Sequence, residues 1–442
     1  MKNVGLIITA RVGSKRLPQK VLRKINGRRT IDILIDHCLP SDDAYAVVLA
    51  IPDLQEDDIL EEIGNERGLI VYRGENKSPL HRIHEAAILY EFDTVIRITS
   101  DDILIDQSLL RNQLKFHING GHDYTYIGRC PEGIAGEVIN VDALRRVVEK
   151  VGNKNIEFPG YHFKTRDFYW KEFYPPSPGK EYQFSFRLTM DYEEDLILLK
   201  VIHSCLREPF GTLDIINFLK QNRYLLNINK LPEVTVYTCN YNTGDYIVDC
   251  MKSVVNQTFQ DFEYIVVDDC STDDSMNKIA EYYSTLNREQ QTKVKVLRNE
   301  ENKGLPSNCN MVLDIARGKY IFRLDSDDVL ASGGIERMLE TAKLENSHGV
   351  LSGYYNTKPG LSVTSETLDN EWHPAGCLLS TWCVNELKYK DDLDYLEGRE
   401  FFDRFNKQYN ISFIPEPLWY YRQRPGQKTA SPDHPDNGGN ND

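Results

Sequence analysis

The chain has 442 residues, 40% of them hydrophobic and 27% charged, with a net charge of −15. That length exceeds one ordinary core and predicts two domains. The composition excludes bulk disorder, and the acidic balance excludes nucleic acid or an anionic membrane as a general partner. The nine cysteines stand singly with no C-x-x-C pair, so neither a zinc site nor a disulfide framework is signalled. Dispersed thiols fit a reducing cytoplasm, which is the expected location. No run reaches the ~18 apolar residues of a membrane helix, and the opening apolar run meets Arg11 too early for a secretion signal.

Val4–Thr9 reads as a buried opening strand. It runs into Arg11, Gly13, Ser14, Lys15, Arg16 and Lys20, four cations within ten residues beside small residues. Such a loop can offer N–H groups and cations to a polyphosphate. It lacks the spacing of a Walker loop, and a solvated basic turn is the plain alternative. The pattern then alternates: helix 30–38, strand 44–51, helix 56–67, strand 69–72, helix 80–90. A further strand from Thr94 ends in Ser100, Asp101 and Asp102.

The string A-R-V-G-S-K-R-L-P-Q-K-V-L at residues 10–22, with I-R-I-T-S-D-D-I-L-I-D at 96–106 and F-R-L-T-M-D-Y-E-E-D at 186–195, resembles the cytidylyltransferases that activate acidic sugars. The resemblance is strongest to the branch of spore-coat polysaccharide proteins and covers residues 2–230 or so. It implies a nucleotidyltransferase-like domain over 1–230 that uses CTP. Arg11, Ser14, Arg16 and Lys20 would grip the triphosphate, Lys20 as a catalytic group, while Asp101 and Asp191 would hold Mg²⁺. Departures are Ser100-Asp101-Asp102-Ile103 in place of Gly-Asp-Asn-Pro, His81 in place of an acid before Arg82, and no Thr-Glu pair within 133–138. They put the second substrate in doubt rather than CTP.

Residues 151–190 read as an arm broken by Pro175, Pro176 and Pro178, with a strand over Arg187–Met190 returning to the sheet. An arm of this kind either pairs two subunits into a homodimer or lies solvated. Helices follow over 195–206 and 212–222, and the first sheet gives way to the second near residues 225–232.

From Val234 the order strand, helix, strand, helix, strand returns, with strands ending in Asn240, Asp268 and Asp325. The run Tyr320–Leu324 drives into Asp325, Asp327 and Asp328. Carboxylates crowded at a strand end repel each other, and a divalent cation bridging to phosphate relieves that cost. A solvated acidic turn is the alternative. The segments T-C-N-Y-N (238–242), V-V-D-D-C-S-T-D-D (266–274), N-K-G-L-P-S-N-C-N (302–310) and A-R-G-K-Y-I-F-R-L-D-S-D-D (316–328) resemble the family 2 glycosyltransferases of GT-A fold. The fold class is therefore expected to be α/β, with two consecutive nucleotide-binding domains, the second over 232–430.

That second resemblance implies Asn240, Tyr241, Asp269 and Asp325 around the nucleotide and Asp327 on Mg²⁺ or Mn²⁺. Glu400 would be the base for the acceptor hydroxyl, with Glu397 as fallback; a helix-start cap is the plain role for either. Arg424 falls where the family often has a histidine, so Arg422 or Arg424 could neutralise a diphosphate instead. A helix is expected over 333–345, a strand over 350–355, a loop over 356–376, and a disordered tail over 431–442. The partners implied are CTP, a nucleotide-linked sugar donor, and a glycan or lipid-linked acceptor.

Overall fold

The computed structural model describes residues 3–14, 16–39, 45–76, 78–152, 156, 160–175, 182–184, 186–368, 375–391, 393, 397–424 and 427. Lys15, the prolines at 176 and 178, and the tail 431–442 lie outside the described residues. The chain divides into two compact units, Met1–Lys230 and Leu231–Asp442.

In the first unit β1 (Val4–Thr9) is buried along its whole length. Leu6 and Ile8 enter one apolar cluster and Ile7 the other, so both faces of the sheet are covered. This two-sided burial is why the strand is continuously apolar rather than alternating. A small hairpin, β2 (Lys24–Ile25) and β3 (Arg28–Arg29), precedes β4 (Ala46–Pro52), β5 (Ile70–Gly74) and β6 (Thr94–Thr99). Then come β7 (Tyr124–Ile127), β8 (Glu137–Asn140) and β9 (Trp170–Phe173). The seven-stranded sheet has the order β5-β4-β1-β6-β8-β7-β9. β4, β1 and β6 run parallel, and β8 turns antiparallel to β6. The chain winds outward from β1 to β5 and returns to β6, so the switch in winding falls between β1 and β6. Crevices open at the carboxyl ends of strands at such a switch.

The second unit repeats the plan. Its strands are β10 (Val234–Asn240), β11 (Phe262–Asp268), β12 (Val294–Arg298), β13 (Tyr320–Arg323) and β14 (Val329–Leu330). They continue with β15 (Gly349–Thr357), β16 (Val363–Thr367), β17 (Leu378–Ser380) and β18 (Ile411–Arg422). The order is β12-β11-β10-β13-β17-β15-β18-β14, with β16 on β15. β10 lies between β11 and β13, parallel to both, so the switch falls between β10 and β13. Val236 and Val266 pack on one face, Tyr237 and Ile265 on the other.

Two sequence expectations are corrected. Arg187 makes a single bridge with Glu132 rather than opening a strand; the edge of the first sheet is β9, from within the expected arm. Within 356–376, expected as loop, Val363–Thr367 pairs antiparallel with β15. Its polar sequence hid it: four of its five residues are exposed, so no apolar alternation marks it.

Candidate functional sites

At the first switch, the basic loop leaves β1 and is pinned from below. Val12 N–H donates to Asp57 Oδ1 at 2.7 Å, and Asp57 is fully buried in the turn Gln55–Asp57. Ser14 Oγ accepts from Leu17 N–H at 3.4 Å, and Arg11 lies at the exposed edge. Gln19 takes a left-handed conformation, φ 53°, which starts the turn Lys20–Leu22 and swings Lys20 inward.

The Lys20 ammonium stands 2.7 Å from Asp101 Oδ2 and 3.4 Å from Asp191 Oδ1. Asp101 follows β6; Asp191 precedes the helix Glu193–Cys205. Asp191 is set by Asp195, whose Oδ2 accepts from the N–H groups of Asp191 and Tyr192, both at 2.9 Å. Arg187 Nη2 donates to the same carboxylate at 2.9 Å. Arg16 reaches Asp191 Oδ1 at 2.9 Å and lies 5.6 Å above the Tyr192 ring.

Burial would raise the Asp101 carboxyl, but the Lys20 ammonium and hydrogen bonds from Lys20 and Thr99 hold it well below the carboxylate range. Its neighbour Asp102 is pushed up to about 8 by burial and by the Asp101 charge. Burial and the adjacent Arg11 press the Arg82 guanidinium down to about 10. Glu137, in the stretch expected to border the second substrate, accepts from Arg97 and from Tyr124 Oη, each at 2.5 Å.

Two carboxylates from separate segments thus converge on one cation. That donor set fits Mg²⁺, which takes one or two carboxylates plus phosphate oxygens.

At the second switch, Asn240 is fully buried and positions rather than exposes: its Nδ2 donates to Asp268 Oδ1 (2.7 Å) and Ser271 Oγ (3.1 Å). Tyr241, next in the chain, is half-exposed. Asp269, expected beside the base, is spent on the protein. It accepts from Asn299 Nδ2 at 2.7 Å and from the N–H groups of Lys303 and Gly304 at 2.9 Å, fixing the loop after β12.

Asp325 Oδ1 accepts from Arg323 Nε at 2.8 Å, and Asp327 Oδ2 accepts from Arg424 Nε at 2.6 Å. Asp328 is buried; its Oδ1 accepts from Arg422 N–H at 2.9 Å, while its Oδ2 has no partner among the described residues. Burial and the charges of Asp327 and Asp325 push the Asp328 carboxyl well up. Burial and Asp325 also raise Asp327, against the pull of Arg424. Among the described residues, no three His, Cys, Asp or Glu side chains are arranged to hold a metal ion.

Glu400 stands in the first turn of the helix Glu397–Gln408, where it is engaged by two cations. Arg404 grips it through two nitrogens at 2.7 and 2.8 Å, and Lys390 lies 2.6 Å away. Glu397 instead lies 4.0 Å from Nη1 of Arg323, the arginine that holds Asp325. Sequence reasoning missed Arg323 and Asp57 as organisers of the two sites. An arginine inside an apolar strand run, as at Tyr320–Leu324, was the available signal. The segment E-D-D-I-L-E-E-I around Asp57 shares in the first resemblance but assigns Asp57 no role.

The two switch points, each with two carboxylates and clustered cations beside it, define a tandem of nucleotide-handling α/β domains. Residues 6–231 match the cytidylyltransferase family model, and residues 235–427 match that of glycosyl transferase family 2. The chain belongs to the cytidylyltransferase family and carries a family 2 glycosyltransferase domain behind it. It is 30% identical to the spore coat polysaccharide biosynthesis protein SpsF of Bacillus subtilis over 230 residues, 50% of this chain and 96% of that one. Its second half is similar to the glycosyltransferase GlyG of Streptococcus pneumoniae, 28% identical over 220 residues, 44% of this chain and 71% of the relative. A solved cytidylyltransferase from Leptospira borgpetersenii superposes with a TM-score of 0.47 at 25% identity, covering 52% of this chain and 98% of the other. No described helix is long and apolar enough to cross a membrane.

Proposed function

We propose that the first domain joins CTP to an acidic or phosphorylated sugar, and that the second passes a nucleotide-activated sugar to a growing surface glycan. The observation that carries this reading is the Lys20 ammonium set between Asp101 and Asp191 at the first switch, with Arg16 on the same carboxylate. An acceptor oxygen attacks the α-phosphorus of CTP; a new O–P bond forms and the bond to pyrophosphate breaks. Arg11, Ser14, Arg16 and Lys20 hold the triphosphate and orient it for in-line displacement. Mg²⁺ or Mn²⁺ held by Asp101 and Asp191 would supply neutralisation of triphosphate charge when bound.

In the second domain the acceptor hydroxyl attacks the sugar carbon that carries the nucleotide, with inversion. Glu397 takes the hydroxyl proton, because it lies beside the Arg323–Asp325 pair whereas Glu400 is committed to Arg404 and Lys390. Tyr241 offers an exposed ring to the base, and Asn240 and Asp269 act by shaping the loops around it. The relative's role in spore coat polysaccharide synthesis supports a glycan as the destination.

Single-site variants of the whole chain test this. Asp327→Ala should abolish sugar transfer and leave pyrophosphate release from CTP near normal, and Lys20→Ala should do the reverse. Loss of both activities from either change would refute the assignment of one chemistry to each domain.

A further inference from the structure

The strand-end carboxylates of the second domain are already neutralised, and by arginine. In the first domain Lys20 lies between two carboxylates, and Arg16 reaches one of them. Here Asp325 and Asp327 each own a guanidinium, from Arg323 and Arg424, at 2.8 and 2.6 Å. The third carboxyl, Asp328, is sealed from solvent and accepts the Arg422 backbone N–H. A cation at Asp327 would have to displace the close ion pair there, so Arg424 supplies positive charge where a divalent ion would sit.

The arrangement is built into the sheet. β14 follows the acidic turn directly and pairs with β18, Val329 opposite Tyr420 and Leu330 opposite Trp419. That register carries the end of β18 back over the acids and delivers Arg422 and Arg424. The ring of Tyr246 backs both guanidiniums, at 4.8 and 5.5 Å from its centre. Arg422 is then consumed: it is buried and its Nη2 pairs with Asp249 at 3.2 Å. Arg424 commits only Nε to Asp327; its terminal amino groups take no partner among the described residues, and its side chain is 19% exposed. A planar guanidinium fixed at Nε, with two further nitrogens presented, suits a phosphate.

We propose that Arg424, oriented by Asp327 and Tyr246, is the group that receives the departing nucleotide phosphate, so that transfer in the second domain runs without a divalent metal. This rests on the proposed transfer from a nucleotide-linked donor. The bond from sugar carbon to phosphate oxygen breaks, its electron pair leaves on that oxygen, and Arg424 donates N–H bonds to it and stays protonated. The acceptor proton goes to Glu397.

The test is calorimetric titration of the full chain with UDP and with CDP, in EDTA and in MnCl₂. It is run in a Lys20→Ala background, so that the first site contributes little. Affinities that agree within about twofold in the two buffers are expected. Arg424→Ala should lose about tenfold or more in either buffer, whereas Arg424→His should regain affinity only with Mn²⁺. The comparison of buffers needs no change at Arg424, so a misfolded variant cannot hide the answer. A fall of about tenfold in EDTA, or an Arg424→Ala chain that binds unchanged, overturns the inference. Failure of both nucleotides to bind in either buffer overturns the transfer reading beneath it, and the inference with it.

Discussion

Glu397 and Glu400 stand one turn apart on the helix Glu397–Gln408 and face different partners. Burial alone would raise Glu400, but hydrogen bonds from Arg404 and Lys390 bring it below its ordinary value of 4.5. A carboxylate held ionised so firmly is a weak proton acceptor at neutral pH. Glu397→Gln should therefore cut transfer by about 10²–10⁴-fold with little change in melting, while Glu400→Gln should leave transfer intact. The Glu400 pairing is partly exposed and worth about 0.5–1 kcal/mol. Its folded-state pKa is depressed, so the contribution is present above pH 4.5 and is lost as pH falls below it. Melting wild type and Glu400→Gln across that range should show the gap closing toward acid; a constant gap would contradict the pairing. Asp57 belongs to this scale too. Asp57→Ala removes the acceptor under Val12 and should cost about 1–3 kcal/mol. It should weaken CTP use without touching transfer by the second domain, as parallel assays of the two activities would show.

The strands that carry the sites were legible because they are buried on both faces and end in polar residues, as Val4–Thr9 and Tyr320–Arg323 do. Less legible were elements whose role depends on a distant partner. β18 is long and half-polar, and nothing local says that its end lies beside Asp327. Likewise the choice between Glu397 and Glu400 depends on Arg323 and Lys390, contributed by other segments. Asp269 was hard to read for a related reason: a strand-end acid shows nothing in the sequence of the loop N–H groups that engage it. One turn tests the element scale. Gly133 has φ +93°, and a Cβ there would meet Thr189 N at 2.7 Å, two residues before Asp191. Gly133→Ala should cost about 1–3 kcal/mol and should weaken CTP use more than its melting shift explains. Unchanged CTP kinetics would show that Asp191 does not depend on this turn.

At the scale of the whole chain, six residues, 228–233, separate the last turn of the first unit from β10 of the second. A tether this short can raise the local concentration of a released product to the order of millimolar. With CTP, an acidic sugar and an acceptor, the intact chain should begin coupled transfer faster than an equimolar mixture of Lys20→Ala and Asp327→Ala chains. Equal initial rates would mean the two activities gain nothing from sharing a polypeptide. The return of β18 over the acidic turn also has a consequence in time. Arg424 lies 97 residues after Asp327, and a ribosome adds roughly 5–20 residues per second. The three acids therefore leave the ribosome first, and for about 5–20 s they have neither Arg422 nor Arg424 to answer their charge. During that interval the nascent second domain lacks the guanidinium that the inference above assigns to the departing phosphate, because the end of β18 is not yet in register with β14.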